Sequence, residues 1–285
     1  MNKLKLLTVL LAVVLIVSIC FNAFLGTQNL SLSNQSSDET KLEMNTILSQ
    51  AQVAVDAELQ RIGNSLIYAS QQLSTTGISG AQARAVVSAL AANSSFIIDA
   101  ATQDLNNIMV TVEPSAYSYS EGRDVGKEVW LNPNPDGPIT PVMTPVIPLV
   151  ENLTGVAMAA PIFNANKVMI GTVSVIFDPE VLLNATITPI LENKSYEFIT
   201  MQTDGQTLYD SDPTKQPTNI LTNPTFASQT ELIAVTHRIA NEYSGYGTYD
   251  ASTTANQSKP HEVYWTTLTA YGVDWRFAII HNLYS

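Results

Sequence analysis

An almost unbroken apolar run occupies residues 6–25, directly after a short segment that carries Lys3 and Lys5. About 20 apolar residues span a hydrocarbon core of about 30 Å, whereas the apolar region of a cleaved signal peptide usually has only about 7 to 15. We therefore expect an uncleaved, single-pass transmembrane anchor. No Lys or Arg occurs between Lys5 and Lys41, so the positive-inside rule predicts a cytoplasmic N-terminus and an extracellular C-terminal domain.

A long helical pattern follows a short polar segment. Residues 27–38 are small and polar, which predicts a flexible link. From residue 39 to about residue 75 the chain has no Pro, and apolar residues recur at steps of three and four. A helix of this length forms a coiled coil or a spine that carries smaller lobes, and the few charges beside its apolar stripe favour the spine. The stripe consists of Leu48, Ala51, Val55, Leu59, Ile62, Leu66, Ala69 and Leu73.

After a shorter predicted helix over residues 81–92, the pattern changes to hairpins of alternating strands. The first hairpin, residues 96–114, turns at Asn106-Asn107, and the second contains the strands GVAMAAPIF and VMIGTVSVIF around the turn NANK. The third has the sequence YEFITMQTDGQTLYDSDP and turns at Asp204-Gly205. An Asp-Gly pair predicts a type I′ turn, in which both residues have positive φ.

The order of elements repeats along the chain. A predicted helix over residues 230–242 and three more strands follow the third hairpin, so a hairpin, a helix or loop and an antiparallel strand set occur twice. This repetition predicts an α+β fold with two lobes, each with a mainly antiparallel sheet. The expected organisation is a tip and anchor over 1–26, a linker over 27–38, a spine helix over 39–75, a first lobe over 76–190 and a second lobe over 191–285.

Composition narrows the classes of partner and of covalent chemistry. The net charge of −12 argues against nucleic-acid binding, which selects basic surfaces. Cys20 is the only cysteine, so no disulfide supports the outer domain. Lipidation of Cys20 is an alternative to a plain membrane-embedded thiol, although Ile19 stands where that processing prefers a small residue. Seven sequons agree with an exterior domain and leave glycosylation open: Asn29, Asn34, Asn93, Asn152, Asn184, Asn193 and Asn256.

Neither acidic stretch matches a metal site. Asp204, Asp210 and Asp212 lie close in sequence, but they lack the Gly and Glu positions of an EF-hand loop, so we interpret them as a turn and a strand exit. The sequence NPNPDG, residues 132–137, half resembles a calcium loop but carries two prolines and has Met143 in the twelfth place. We expect no metal and no cofactor.

The chain also lacks the motifs of common enzymes. It has three histidines and no His-Glu-x-x-His, Gly-x-Ser-x-Gly or Gly-rich phosphate loop. We therefore expect no catalysis. Binding is better supported, because YSYSEGRDVGKEVW, residues 117–130, combines aromatic rings with two cations. The alternative interpretation is that these aromatic residues cap the core beneath a long loop.

These segments resemble a known family, the extracellular double Cache sensor domains, which are related to PAS domains and occur on archaeal and bacterial sensors. The resemblance rests on the long helix, on EGRDVGKEVW, on GVAMAAPIFNANKVMIGTVSVIFDP and on YEFITMQTDGQTLYDSDP. It covers about residues 40–285. It implies a membrane-distal lobe, here the first, that binds a small molecule, and a membrane-proximal lobe, here the second, that passes strain to the membrane.

The resemblance also implies a ligand pocket. The amino-acid-binding subgroup places an Arg where this chain has Glu128 and an Asp where it has Ile176, which makes an amino acid doubtful and favours a carboxylate or a less polar ligand. Family receptors continue into an output domain, so we expect signalling through a separate partner, a tethered binding protein, or a detached sensor half. The implied pocket residues are Tyr117, Tyr119, Arg123, Lys127, Trp130, Met143, Thr144, Met158 and Ala160.

The sequence thus predicts a membrane-anchored extracellular sensor domain for a small organic ligand. The alternative is a structural or cell-surface interaction protein with filled lobes, in which the long helix dimerises. A homodimer is left open under either hypothesis.

Overall fold

The computed structural model describes residues 3–126, 134–149, 153–215, 217–250 and 260–283, with side chains from residue 38 onward. The helices are α1 (Lys3–Thr76), α2 (Gly80–Ala91), α3 (Pro179–Leu191) and α4 (Thr230–Asn241), with short 3-10 turns at Ser115–Ser120 and Pro224–Phe226. The first five strands are β1 (Ile97–Gln103), β2 (Met109–Glu113), β3 (Val142–Pro148), β4 (Thr154–Phe163) and β5 (Met169–Phe177). The next five are β6 (Tyr196–Gln202), β7 (Thr207–Asp210), β8 (Gly245–Asp250), β9 (Pro260–Ala270) and β10 (Val273–Asn282).

Helix α1 contains the predicted spine and extends beyond it toward the N-terminus. All eight residues of the predicted stripe are buried, with at most 3% of any of them exposed. The segment predicted as a polar link, residues 27–38, is helical, since no Gly or Pro interrupts the chain between Gly26 and Gly63. The side chains of the predicted anchor, residues 6–25, lie outside the described residues. Within the part of the chain whose placement is described, no helix combines the length and hydropathy of a membrane span.

The chain divides into two compact units, Met1–Thr46 and Ile47–Ser285, and the second contains two antiparallel five-stranded sheets. The first sheet has the order β2-β1-β5-β4-β3 and the second the order β7-β6-β10-β9-β8. Numbered within each sheet, both orders read 2-1-5-4-3. The predicted repetition is therefore confirmed, together with the α+β class and two lobes that each carry an antiparallel sheet.

Three hairpins share one turn geometry, which corrects the prediction at Asp204-Gly205. The Gly205 N–H donates to Gln202 O at 3.1 Å, and the Gln202 N–H donates to Gln206 O at 2.8 Å. In this described turn Gly205 has φ +89°, whereas Asp204 does not enter the positive region. A three-residue loop with a bulge needs one positive φ, so the predicted type I′ turn is wrong here. Asn107 (φ 62°) and Lys167 (φ 60°) take the same place in the other two hairpins.

The spine packs on both sheets. Gln52 Nε2 donates to the carbonyl of Thr267 on β9 at 2.9 Å, and Ser70 Oγ donates to the carbonyl of Pro161 on β4 at 2.6 Å. Between these points Gly63 lies against Tyr271, which stands on the β9–β10 turn. These contacts agree with the prediction that this helix is a spine packed on its own domain.

Candidate functional site

The first sheet has two faces, and strand register assigns each residue to one of them. Residues paired directly across strands have side chains on the same face. Thr102 pairs with Thr111 on β2 and with Val173 on β5, and Val173 pairs with Ala160 on β4. Both threonine hydroxyls donate to Ile78 O, between α1 and α2. This row therefore belongs to the helix-side face.

The neighbouring rows form the opposite face, and their side chains are small. Ala101 pairs with Ser174 on β5, and Ser174 pairs with Ala159 on β4. Asp99 pairs with Ile176, which pairs with Ala157. We call this the loop-side face, because Ala101 packs in a cluster with Tyr117 of the chain that follows β2. Its six residues are buried and are Asp99, Ala101, Ala157, Ala159, Ser174 and Ile176.

Two glycines check this assignment independently. A Cβ placed on Gly155 would lie 3.0 Å from Ile176 Cγ2 and 3.2 Å from Leu149 Cδ1, so residue 155 points to the loop-side face. A Cβ on Gly171 would lie 3.3 Å from Ile78 Cδ1, so residue 171 points to the helix side. The alternation along β4 and β5 is therefore regular between these positions.

Three predicted site residues come together on the chain segment after β2. Tyr117 and Tyr119 lie on the 3-10 turn with ring centroids 6.4 Å apart, and the Arg123 guanidinium lies 5.4 Å from the Tyr119 ring. Tyr117 is half-buried against Ala101, whereas Tyr119 is 51% exposed. Tyr117 is thus the one of the three that approaches the loop-side face directly. Lys127 and Trp130 lie outside the described residues.

Arg84 of α2 holds this segment at both ends, which the sequence did not indicate. Its Nη1 lies 2.8 Å from Glu113 Oε1, and its Nη2 lies 2.6 Å from Glu121 Oε1. The Val112 N–H also donates to Glu121 at 3.0 Å. Side-chain hydrogen bonds to Glu113 and Glu121 raise the pKa of Arg84. The clamp fixes the chain that carries the two tyrosines.

The four predicted site residues on β3 and β4 do not lie beside the two tyrosines and Arg123. Register places Met158 and Ala160 on the helix-side face, because they pair with Val175 and Val173. Thr144 is buried and its hydroxyl accepts from the Ala157 N–H at 3.0 Å. Met143 lines a groove of about 430 Å³ between β3 and the turns of the second sheet. The structure thus does not gather all predicted residues on one surface.

Asp99 is the residue of the loop-side face that sequence reasoning missed. It is fully buried on β1, and it pairs with Ile176, the position at which the resemblance implied that a carboxylate was lost. The available signal was a lone acidic residue in the apolar strand IIDAATQ. This face therefore carries a carboxyl group on β1, next to β5, the strand on which the resemblance implied one.

The acidic stretch of the third hairpin is organised around a lysine. Lys215 Nζ lies 2.8 Å from Glu197 Oε2, and 3.8 and 3.7 Å from the carboxylates of Asp210 and Asp212. Burial raises the pKa of Asp210, whereas side-chain and backbone hydrogen bonds from Thr214 lower that of Asp212. Asp204 accepts from the Gln206 N–H inside its turn. These contacts agree with the interpretation as a turn and strand exit.

Comparison with known families gives a match in the first lobe. Residues 57–179 match the model of the family described as HK/GC/Chemotaxis protein-like, sensor domain. The match contains every strand of the first sheet. A search of curated protein sequences finds no match.

Solved structures share the fold of both lobes. An extracellular ligand binding receptor from Desulfohalobium retbaense is 24% identical with a TM-score of 0.66, and the alignment covers 84% of this chain but 40% of that one. The ligand-binding domain of the Pseudomonas fluorescens chemoreceptor CtaA, in complex with L-alanine, is 14% identical with a TM-score of 0.56, covering 87% and 97%. The sensory domain of the Campylobacter jejuni chemoreceptor Tlp3, with isoleucine bound, is 10% identical with a TM-score of 0.60, covering 88% and 95%.

At these identities the structures establish the fold alone. Together with the family match, they confirm the resemblance to extracellular sensor domains of chemoreceptors and histidine kinases that was stated from the sequence.

Proposed function

We propose that this protein is a membrane-anchored extracellular sensor that binds a small organic molecule on the loop-side face of the first sheet. The observation that carries the proposal is this face itself, whose buried residues Ala101, Ala157, Ala159 and Ser174 all have small side chains. Tyr117 of the segment after β2 packs against this face, and the exposed Tyr119 ring lies next to it with the Arg123 cation. Lys127, Trp130 and Thr144 complete the proposed set.

The chemistry of this face favours a ligand with a positively charged amine. Asp99 has a buried carboxyl group there, and a cationic group of a ligand would stabilise its ionised form. A carboxylate accepts several hydrogen bonds, so a protein partner of Asp99 leaves acceptor capacity for a ligand. Amino acids return as candidates on this basis, because Asp99 places a carboxylate beside Ile176. Arg123 would then face the acidic end of such a molecule.

The membrane and signalling parts of the proposal rest on the sequence. Residues 6–25 would anchor the protein in the cell membrane once, with the N-terminus in the cytoplasm and residues 27–285 outside. The first lobe, 76–190, would be distal from the membrane and the second, 191–285, proximal. Signalling would pass to a separate partner protein, and no catalytic step is proposed.

A thermal-shift screen of the full chain in detergent tests the ligand proposal. The panel contains L-amino acids, primary amines without a carboxylate, and organic acids without an amine. A ligand at 100 times its dissociation constant stabilises the folded state by about 2.7 kcal/mol, which raises the melting midpoint measurably. We expect compounds with an amine to raise it and acids alone to leave it unchanged.

Matched variants assign the effect to the loop-side face. Asp99→Asn should abolish the ligand-dependent shift, whereas Asp136→Asn, whose side chain is 75% exposed and pairs with Lys167, should retain it. Ala159→Leu fills the face and should also abolish the shift. Equal shifts in Asp99→Asn and in the parent would contradict the amine assignment. If no compound acts and Trp130→Ala changes nothing, the structural alternative replaces the sensor hypothesis.

One observation favours a contact between two copies, which the structural alternative also requires. The exposed positions of α1 from residue 50 to residue 75 recur at steps of three and four, and in this described part of the helix none of them carries a charge. The nearest carboxylate is that of Asp56, which accepts from Gln60 Nε2 at 2.8 Å. In a chain of net charge −12, such a row is where a second copy meets least repulsion. It is about 40 Å long at 1.5 Å per residue. Its members are Gln50, Val53, Ala57, Gln60, Asn64, Tyr68, Gln71 and Thr75.

A further inference from the structure

The outer edge of β3 is held by the second sheet. β3 is an edge strand that pairs with β4 on one side. On its other side the Met143 N–H donates to Tyr271 O at 3.0 Å, and the Val146 N–H donates to Gln202 Oε1 at 2.6 Å. Two backbone groups that an edge strand would otherwise present to water therefore bind the second lobe.

Both acceptors have fixed positions. Gln202 is the last residue of β6 and only 6% exposed. Tyr271 lies in the tight β9–β10 turn, where Tyr271 and Gly272 both have positive φ, 49° and 89°. This is the two-residue turn with two positive φ values that the sequence suggested for Asp204-Gly205. Because Tyr271 accepts through its backbone carbonyl, it cannot follow β3 without moving the β9–β10 turn.

Tyr271 also contacts the spine. A Cβ on Gly63 would overlap the Tyr271 hydroxyl and lie 2.6 Å from its Cζ, so the ring occupies the space that Gly63 leaves on α1. Burial raises the pKa of Tyr271, with a smaller contribution from Asp56. One residue of the second lobe therefore touches a strand of the first sheet through its backbone and α1 through its side chain.

We infer that Gln202 and Tyr271 form a mechanical link through which a displacement of β3 reaches the second lobe and α1. β3 is the strand next to β4, which supplies Ala157 and Ala159 to the loop-side face. The groove of about 430 Å³ beside the link, lined by Met143, Gln202 and Asp274 among others, leaves β3 space to shift. The link exists without a ligand; its use in signalling rests on the proposed function.

Hydrogen exchange with mass spectrometry on the full chain, at increasing urea, tests the link. In the parent protein we expect the slowest amides of β4–β5 and of β9–β10 to open with one common free energy. Gln202→Met leaves the Val146 N–H without its acceptor, which costs about as much free energy as a tenfold change in an equilibrium constant. The equilibrium constants for opening of the two sets of amides should then differ by about that factor.

Three further variants make the test specific. Gln202→Glu keeps an acceptor oxygen for the Val146 N–H, and it is combined with Asp204→Asn because Gln202 Nε2 donates to Asp204 Oδ1 at 3.4 Å. The double variant should restore common opening. Gln206 lies in the same hairpin, and its Nε2 donates to the carbonyl of Thr207 at 3.1 Å. Gln206→Met should behave like the parent. Gly63→Ala displaces Tyr271 and should separate the two sheets independently of Gln202.

Independent opening of the sheets in the parent, or equal behaviour of Gln202→Met, Gly63→Ala and Gln206→Met, would overturn the inference. No ligand is needed, so this result and that of the ligand screen are obtained separately.

Discussion

At the scale of single residues, the clamp made by Arg84 should give stability a defined pH dependence. Burial opposes the charge of Glu121, but hydrogen bonds from Arg84 and Val112 together hold its pKa below the ordinary value of 4.5. A carboxylate with a depressed pKa stabilises the fold above its unfolded pKa, and this contribution is lost as the pH falls through the folded value.

We therefore expect Glu121→Gln to lower the free energy of unfolding at neutral pH by about 0.2–1 kcal/mol, the range for partly exposed ion pairs. Urea denaturation between pH 3 and pH 7 should show this difference shrinking below pH 4.5. Glu192→Gln, at an exposed position after α3, is the matched control and should show neither effect. A difference independent of pH would assign the effect of Glu121 to packing.

Residue-level prediction from sequence succeeded where a local pattern was sufficient. Tyr117, Tyr119 and Arg123 share a short segment, so their proximity could be predicted. Met158 and Ala160 were expected beside them, but a strand alternates faces, and the register that decides the face depends on β5 and β1. Asp99 and Arg84 were missed because their partners are distant in sequence.

At the scale of elements, Gly171 explains why the second hairpin carries the sequence IGTV. A Cβ there would overlap the backbone carbonyl of Gln103 on the neighbouring β1. Because the obstacle is backbone, a side-chain rotation cannot relieve it. We expect Gly171→Ala to lower the free energy of unfolding by about 1–3 kcal/mol, as overpacking does.

Urea denaturation measures this loss, and Thr172→Ala is the control at the next position. Thr172 makes a 3.3 Å contact with Gln103 Oε1, whose loss should cost less than about 1.5 kcal/mol. Equal stability of Gly171→Ala and the parent would mean that β1 and β5 can move apart at this point.

Among the elements, hairpins and the buried stripe of α1 were predictable because their signals are local and periodic. The turn type at Asp204-Gly205 was not, since Asp-Gly serves both a two-residue turn and a bulged loop. The strand pairing decides between them, and here Gln202 pairs with Gln206 across three residues. The hydrogen bond from the Val146 N–H to Gln202 Oε1 also ties the start of this loop to β3.

At the scale of the whole molecule, the uncharged row on α1 should control association of two copies. Light scattering after size exclusion of the full chain in detergent should show a dimer at micromolar concentration. Tyr68→Glu places like charges against each other in a symmetric contact and should lower the dimer population.

Tyr243→Glu is the matched control, because Tyr243 and Tyr68 are almost equally exposed, at 62% and 63%. Tyr243→Glu should leave the dimer population unchanged. Equal effects of both variants, or a monomer in the parent, would remove the row as an interface.

The shared strand order also has a consequence for how the protein is made. The first sheet has all five strands once residue 177 has been synthesised, with β5 at its centre. The second sheet has β10 at its centre, so β6 and β9 have no common neighbour until residue 282 is present. On the ribosome the first lobe can therefore close early, whereas the second lobe, which contacts it through β3, must wait for nearly all of the described chain.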